Sequence, residues 1–133
     1  MKLKSFIALS LVSLSFGSQA ASFVVDAKNN CFDPQAVNSK VQSGSPLKFN
    51  LDAGTYNIYL TSNSANCVTG SSCQIDRVVM AGGMSTARWG SAISSTPQQI
   101  NVAGSNYYLI AYIGDDNCAD NTGSVTIQAD KVQ

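Results

Sequence analysis

The sequence predicts an all-β protein, an antiparallel β-sandwich or jelly roll of about seven to nine short strands. Three observations predict it. Apolar and polar residues alternate with period two in stretch after stretch between Ser22 and Ala129. Gly, Asn, Asp, Ser and Pro fill the gaps, as turns require. No segment carries apolar residues at i, i+3, i+4 and i+7 over three turns, so no amphipathic helix is expected.

The chain opens on Lys2 and Lys4, an apolar run from Phe6 to Phe16, and the small-residue site Ser18-Gln19-Ala20. That pattern is a secretory signal peptide, residues 1–20, to be set aside in reasoning about the fold. The run is too short and too serine-rich to anchor in a bilayer. Cleavage after Ala20 leaves 133 − 20 = 113 residues, 21–133, enough for one domain with one core. The expected location is secreted or periplasmic, without membrane insertion.

Strands follow in order. "SFVVD" at Ser22–Asp26 is a short candidate. "PLKFNL" sets Leu47, Phe49 and Leu51 on one face and Lys48 and Asn50 on the other. "TYNIYLTS" groups Tyr56, Ile58 and Leu60, and "QIDRVVM" and "QQINV" are weaker stretches. "YYLIAYI" is apolar on both faces, as a central strand covered on both sides would be. "SVTIQA" turns Val125, Ile127 and Ala129 inward. Between them, Ser62 to Ser72 reads as a long loop and "MAGGMSTARWGSAISSTPQQ" as an irregular stretch.

Charge and composition exclude several functions. Without Lys2 and Lys4, the eight basic residues become six against eight acids, a net charge of −2. Such a chain has no basic footprint for nucleic acid. Every acid is Asp, and there is no His, so Ser-His-Asp and Cys-His catalysis are unavailable. Two carboxylates on one loop do not flank a glycosidic bond. The chain is not expected to be an enzyme.

Four cysteines, Cys31, Cys67, Cys73 and Cys118, predict two disulfides in an exported chain, with three pairings open. Cys67 and Cys73 bracket the flexible "VTGSS", which favours their pairing and leaves Cys31 with Cys118. No C-x-x-C motif supports a zinc or redox site.

The richest feature is "GDDNCADNTGS", Gly114–Ser124. Asp115, Asn117, Asp120 and Asn121 offer hard oxygen ligands, and Gly114 and Gly123 permit sharp bends. Calcium takes six to eight such oxygens in irregular geometry. A bound Ca²⁺ would turn carboxylate repulsion, about 1 kcal/mol at 4 Å in water, into attraction. The spacing is not an EF-hand: counting from Asp115, position 6 is Asp120 rather than Gly and position 12 is Thr126 rather than Glu. An ordinary solvated turn is the competing reading.

"YYLIAYIGD" followed by "ADNTGSVTIQ" resembles the C-terminal strand-loop-strand of the PA-IL-type bacterial galactose-binding lectins. "GSPLKFNLDAGTYNIYL" is similar to that family's early strand-turn-strand, and "ARWG" to an aromatic position before its late strands. The resemblance implies a jelly roll with one calcium that bridges protein and sugar hydroxyls. Asp115 would be the strand-end ligand, Asp120 and Asn121 the paired side-chain ligands, and Asn117 a main-chain carbonyl ligand. A further carbonyl would come from Leu60 to Asn63. Asp115 and Asp120 would also touch the sugar. This loop is about two residues shorter than in those lectins, and their sugar-contacting histidine has no counterpart.

Trp89, the only tryptophan, is a candidate stacking face for a sugar ring, weighed against a place in the core. The expected function is a secreted, calcium-dependent carbohydrate-binding module. The alternative is a calcium-stabilised structural or protein-interaction module, an inhibitor or adhesin component, whose partner is a secreted or cell-surface protein.

Overall fold

A computed structural model describes residues 19–33, 44–68, 70, 72–84, 87–104 and 108–132. Of the expected signal peptide, residues 1–20, residues 1–18 lie outside the described residues, and Ala20 is the first residue of β1. The described residues form nine strands: β1 (Ala20–Asp26), β2 (Cys31–Phe32), β3 (Leu47–Phe49), β4 (Gly54–Asn63), β5 (Val78–Met84), β6 (Ala87–Ile93), β7 (Gln98–Val102), β8 (Leu109–Gly114) and β9 (Ser124–Val132). One sheet has the order β1-β9-β4-β7, and the other β2-β8-β5-β6 with β3 also paired to β8. Every ladder is antiparallel except β2 on β8. The protein is an all-β sandwich.

Alternation drives the packing. In β9 the burial pattern turns Val125, Ile127 and Ala129 inward, each fully buried. Val25, Tyr56, Ile58, Leu60 and Val102 join them from the same sheet, against Phe49, Val78, Met80, Ile93, Leu109, Ala111 and Ile113 of the other. Each large aliphatic side chain removed from water in this way contributes about 1.5–3 kcal/mol. Phe23 and Phe49 close one part of the layer with ring centroids 4.1 Å apart.

Three details differ from the sequence expectation. The stretch expected to be irregular contains the β5–β6 hairpin, in which Gly82 pairs with Trp89. A Cβ on Gly82 would stand 2.4 Å from Leu109 Cδ2 and 3.0 Å from Trp89 Cζ2. The glycine therefore makes room for the packing even though it weakens strand propensity. The two-residue β2 was not expected. In β8, Leu109, Ala111 and Ile113 are buried whereas Ile110 and Tyr112 on the other face are only half-buried.

Both cysteine pairs are bridged as expected, Cys31 to Cys118 and Cys67 to Cys73, each with Cα atoms 5.5 Å apart. Disulfides persist in oxidising, extracellular-type settings. Among the described residues no helix is long and apolar enough to cross a membrane.

Candidate functional site

The connection from β8 to β9 is gripped from two sides. On one side stands the turn after β1. Asp26 Oδ1 accepts the N–H groups of Lys28 (3.0 Å) and Asn29 (2.7 Å), and Asn30 N–H closes on Asp26 O at 3.0 Å. This Asx turn brings Cys31 alongside Ile113, where β2 runs parallel to β8. Ile113 donates to Asn30 O (3.0 Å), Asp115 to Phe32 O (3.3 Å), and Ala27 to Gly123 O (3.0 Å). The Cys31–Cys118 bridge pins the middle of the loop to the same turn.

The second grip is the chain after β4. Ser64 donates to Ser124 O (2.9 Å), and Asn66 and Thr122 exchange main-chain hydrogen bonds of 2.9 and 3.0 Å. Asn66 also bridges to Gln74, and Cys67 donates to Cys73 O (3.0 Å), so the disulfide hairpin is built directly onto Thr122. Asn63 supports it by donating through Nδ2 to Ile75 O and accepting from Ala65 N–H through Oδ1 (2.9 Å). Gly123 passes this clamp at φ 79°, where a Cβ would lie 2.1 Å from Ser64 O. Only glycine meets both demands.

Within this frame three of the four expected ligand residues turn side-chain oxygens inward. Asn121 is 2% exposed; its Nδ2 donates to Ala27 O (3.0 Å) and to Cys31 Sγ (3.4 Å). That use of the amide nitrogen fixes the orientation of the group and leaves Oδ1 buried without a donor. Asp115 accepts from Asp116 N–H through Oδ1 (2.7 Å), while its Oδ2 is buried and accepts no hydrogen bond. Asp120 has contacts of its own, and its Oδ1 is the third such oxygen. Among the described residues these three are the buried side-chain polar atoms with no hydrogen bond. A solvated turn does not hide its oxygens this way, because buried polar groups are normally paired.

Electrostatics agree with the geometry. Burial pushes the Asp115 carboxyl above the usual carboxylate range, and the neighbouring Asp116 carboxyl adds to the rise. The N–H groups of Asp116 and Asn117 and the Asn121 amide pull it the other way. Asp115 and Asn121 are therefore neighbours across the loop.

Asn117 is exposed, and its Oδ1 accepts weakly from Ala119 N–H at 3.4 Å, an Asx turn that leaves its main-chain carbonyl as the group it could offer. Trp89 is not brought to the loop: it is half-buried against the core, beside Gly82 and Leu109, at the end of the second sheet away from Gly114. Asp33 went unnoticed in the sequence. It is 3% exposed and follows Phe32, the partner of Gly114, so it continues β2 beside Asp115. Its signal was the Cys31–Cys118 tether two residues away. Among the described residues no three His, Cys, Asp or Glu side chains form a metal-holding group. A cation here would draw on amide and main-chain oxygens beside the carboxylates, as calcium does.

No family model, curated protein or solved structure matches the chain.

Proposed function

We propose that the β8–β9 loop binds a calcium ion and through it a carbohydrate, making this a secreted, calcium-dependent lectin-like module. The buried, donor-less oxygens of Asp115 and Asn121 carry the reading. A carboxylate oxygen and an amide oxygen held out of water and accepting no hydrogen bond are the kind of groups that a hard cation stabilises. Asp120 Oδ1 and the Asn117 carbonyl would complete the protein's share of the shell. Vicinal hydroxyls of a sugar would supply the remaining oxygens, with Asp115 and Asp120 accepting hydrogen bonds from them. A glycan array probed with Ca²⁺ and again with a chelator tests this. Saccharide binding that the chelator abolishes is expected; an array blank under both conditions would remove the sugar from the proposal.

A second reading has its own support. The Cys67–Cys73 hairpin projects beside the loop, rigidified at its base by Asn66 and carrying Val68 at 44% exposure. A preordered projection of this kind suits docking to a secreted or cell-surface protein, with calcium only stiffening the loop. Replacing Cys67–Cys73 by a short Gly-Ser turn separates the two. Retained calcium binding with lost protein capture favours the second, and retained sugar binding favours the first.

A further inference from the structure

What Asn121 can do for the loop depends on which way its amide points. The two ends of a side-chain amide are alike in size and opposite in chemistry: the oxygen accepts a hydrogen bond or holds a cation, and the NH₂ group donates. Nδ2 is committed to Ala27 O at 3.0 Å and to Cys31 Sγ at 3.4 Å, which leaves Oδ1 in its buried, unbonded position. Turned over, the same amide would put N–H donors there, where a metal ion needs an oxygen. The Ala27 carbonyl therefore selects the useful orientation.

That carbonyl is aimed by its own peptide plane. In a trans peptide the C=O of Ala27 and the N–H of Lys28 share one plane and point in opposite directions. Asp26 Oδ1 accepts the Lys28 N–H at 3.0 Å and the Asn29 N–H at 2.7 Å. The carboxylate thus holds one end of the plane, and the other end reaches Asn121. Asp26 is itself braced by Asn30, whose Oδ1 accepts the Asp26 N–H (2.9 Å) and whose N–H donates to Asp26 O (3.0 Å). Asn30 is fixed in turn by donating through Nδ2 to Ser45 O (2.9 Å) and accepting from Ile113 N–H (3.0 Å). On the other side of Ala27, its N–H donates to Gly123 O at 3.0 Å, so the peptides before and after it are both tied down.

We propose that Asp26 is a positioning residue for the β8–β9 loop: through the Lys28 N–H and the Ala27 carbonyl it holds the Asn121 amide with Oδ1 turned inward. The consequence for calcium rests on the reading of this loop as a cation site; the orientation of the amide does not. Groups that orient a metal's ligands without touching the metal typically cost roughly 10–100-fold in affinity when they are removed. Asp26 stands in that relation to Asn121, two hydrogen bonds and one peptide plane away.

Two variants and two readouts test this. Asp26→Ala removes the acceptor, whereas Asp26→Asn removes the same charge and keeps an Oδ1 for the Lys28 and Asn29 N–H groups. In EDTA, nuclear magnetic resonance reads the Asn121 side-chain N–H groups directly. They are expected to exchange slowly with water in the wild type and Asp26→Asn, and fast in Asp26→Ala, while main-chain amides of β4 and β9 stay protected in all three. In Ca²⁺ titrations by calorimetry, Asp26→Ala is expected to bind about tenfold or more weakly and Asp26→Asn close to wild type. Should Asp26→Ala not fold, Asn30→Ala, which removes the brace on Asp26, is expected to shift both readouts in the same direction. Unchanged Asn121 exchange in the folded variant overturns the proposal, whatever calcium does. Equal losses in Asp26→Ala and Asp26→Asn assign the effect to charge and overturn it too. A wild type that binds no calcium but keeps the exchange pattern removes the cation reading and leaves the aiming of Asn121 by Asp26 standing.

Discussion

A carboxylate oxygen taken from water and given no donor raises the energy of its own charge, and Asp115 Oδ2 stands in that position. Its pKa is raised chiefly by burial, so without metal the folded state holds the proton more tightly than the unfolded chain. The sign follows from linkage: this group's favourable share is present below the unfolded value, about 3.9, and is lost as pH rises through the folded value. In EDTA, Asp115→Asn is therefore expected to melt a few degrees above wild type at pH 7, the gap closing as the pH is lowered toward 4. A melting series against pH reads this directly. Metal binding competes with the same proton, so any calcium stabilisation fades over the same window. Gly123→Ala places a Cβ against Ser64 O in a left-handed backbone, and is expected to cost about 2–3 kcal/mol, seen as a lower melting midpoint. Asp115 and Gly123 were legible as types suited to a ligand and a bend. Ser64 and Ala27, which make the bend obligatory and orient Asn121, were not, because nothing local in the sequence connects them to it.

At the scale of elements, the disulfides and the strand pairings decide how firmly the loop is held. The Cys31–Cys118 bridge spans a sequence separation of 87 and the Cys67–Cys73 bridge one of 6. Chain-entropy reasoning gives about 4–5 kcal/mol for the long closure and about 2 for the short one. Replacing Cys31 and Cys118 together by Ala should lower the melting midpoint by more than replacing Cys67 and Cys73. Only the first pair also removes the sulfur that Asn121 Nδ2 touches, so only it should weaken calcium binding, as titration calorimetry would show. Strands with strict alternation, β4 and β9 above all, could be read from the sequence because one face is buried. The β5–β6 hairpin could not. Gly82 and Gly83 suggest a loop by propensity, whereas in the sandwich Gly82 is the gap into which Leu109 and Trp89 pack.

For the whole molecule, the sandwich class was legible because many short alternating strands without a helix leave few other ways to bury apolar faces. What covers an outer face was not. The doubly apolar "YYLIAYI" suggested cover on both sides, yet one side meets the core and the other carries half-buried Ile110 and Tyr112 and exposed Tyr108. The slightly acidic balance of residues 21–133 likewise conceals a local arrangement, three Asp side chains on one loop held by the turn after β1 and a disulfide hairpin. The central claim is that this arrangement exists to hold a divalent cation. Thermal melts of wild type and Asp115→Asn, each in Ca²⁺ and in EDTA, test it most directly. Binding to the folded state alone adds about 2.7 kcal/mol at a hundredfold excess over Kd, which for a domain of about 100 residues is roughly 10–20 °C. The account predicts a rise of that order for wild type and little or none for the variant. Wild-type melts that coincide with and without Ca²⁺ would contradict it.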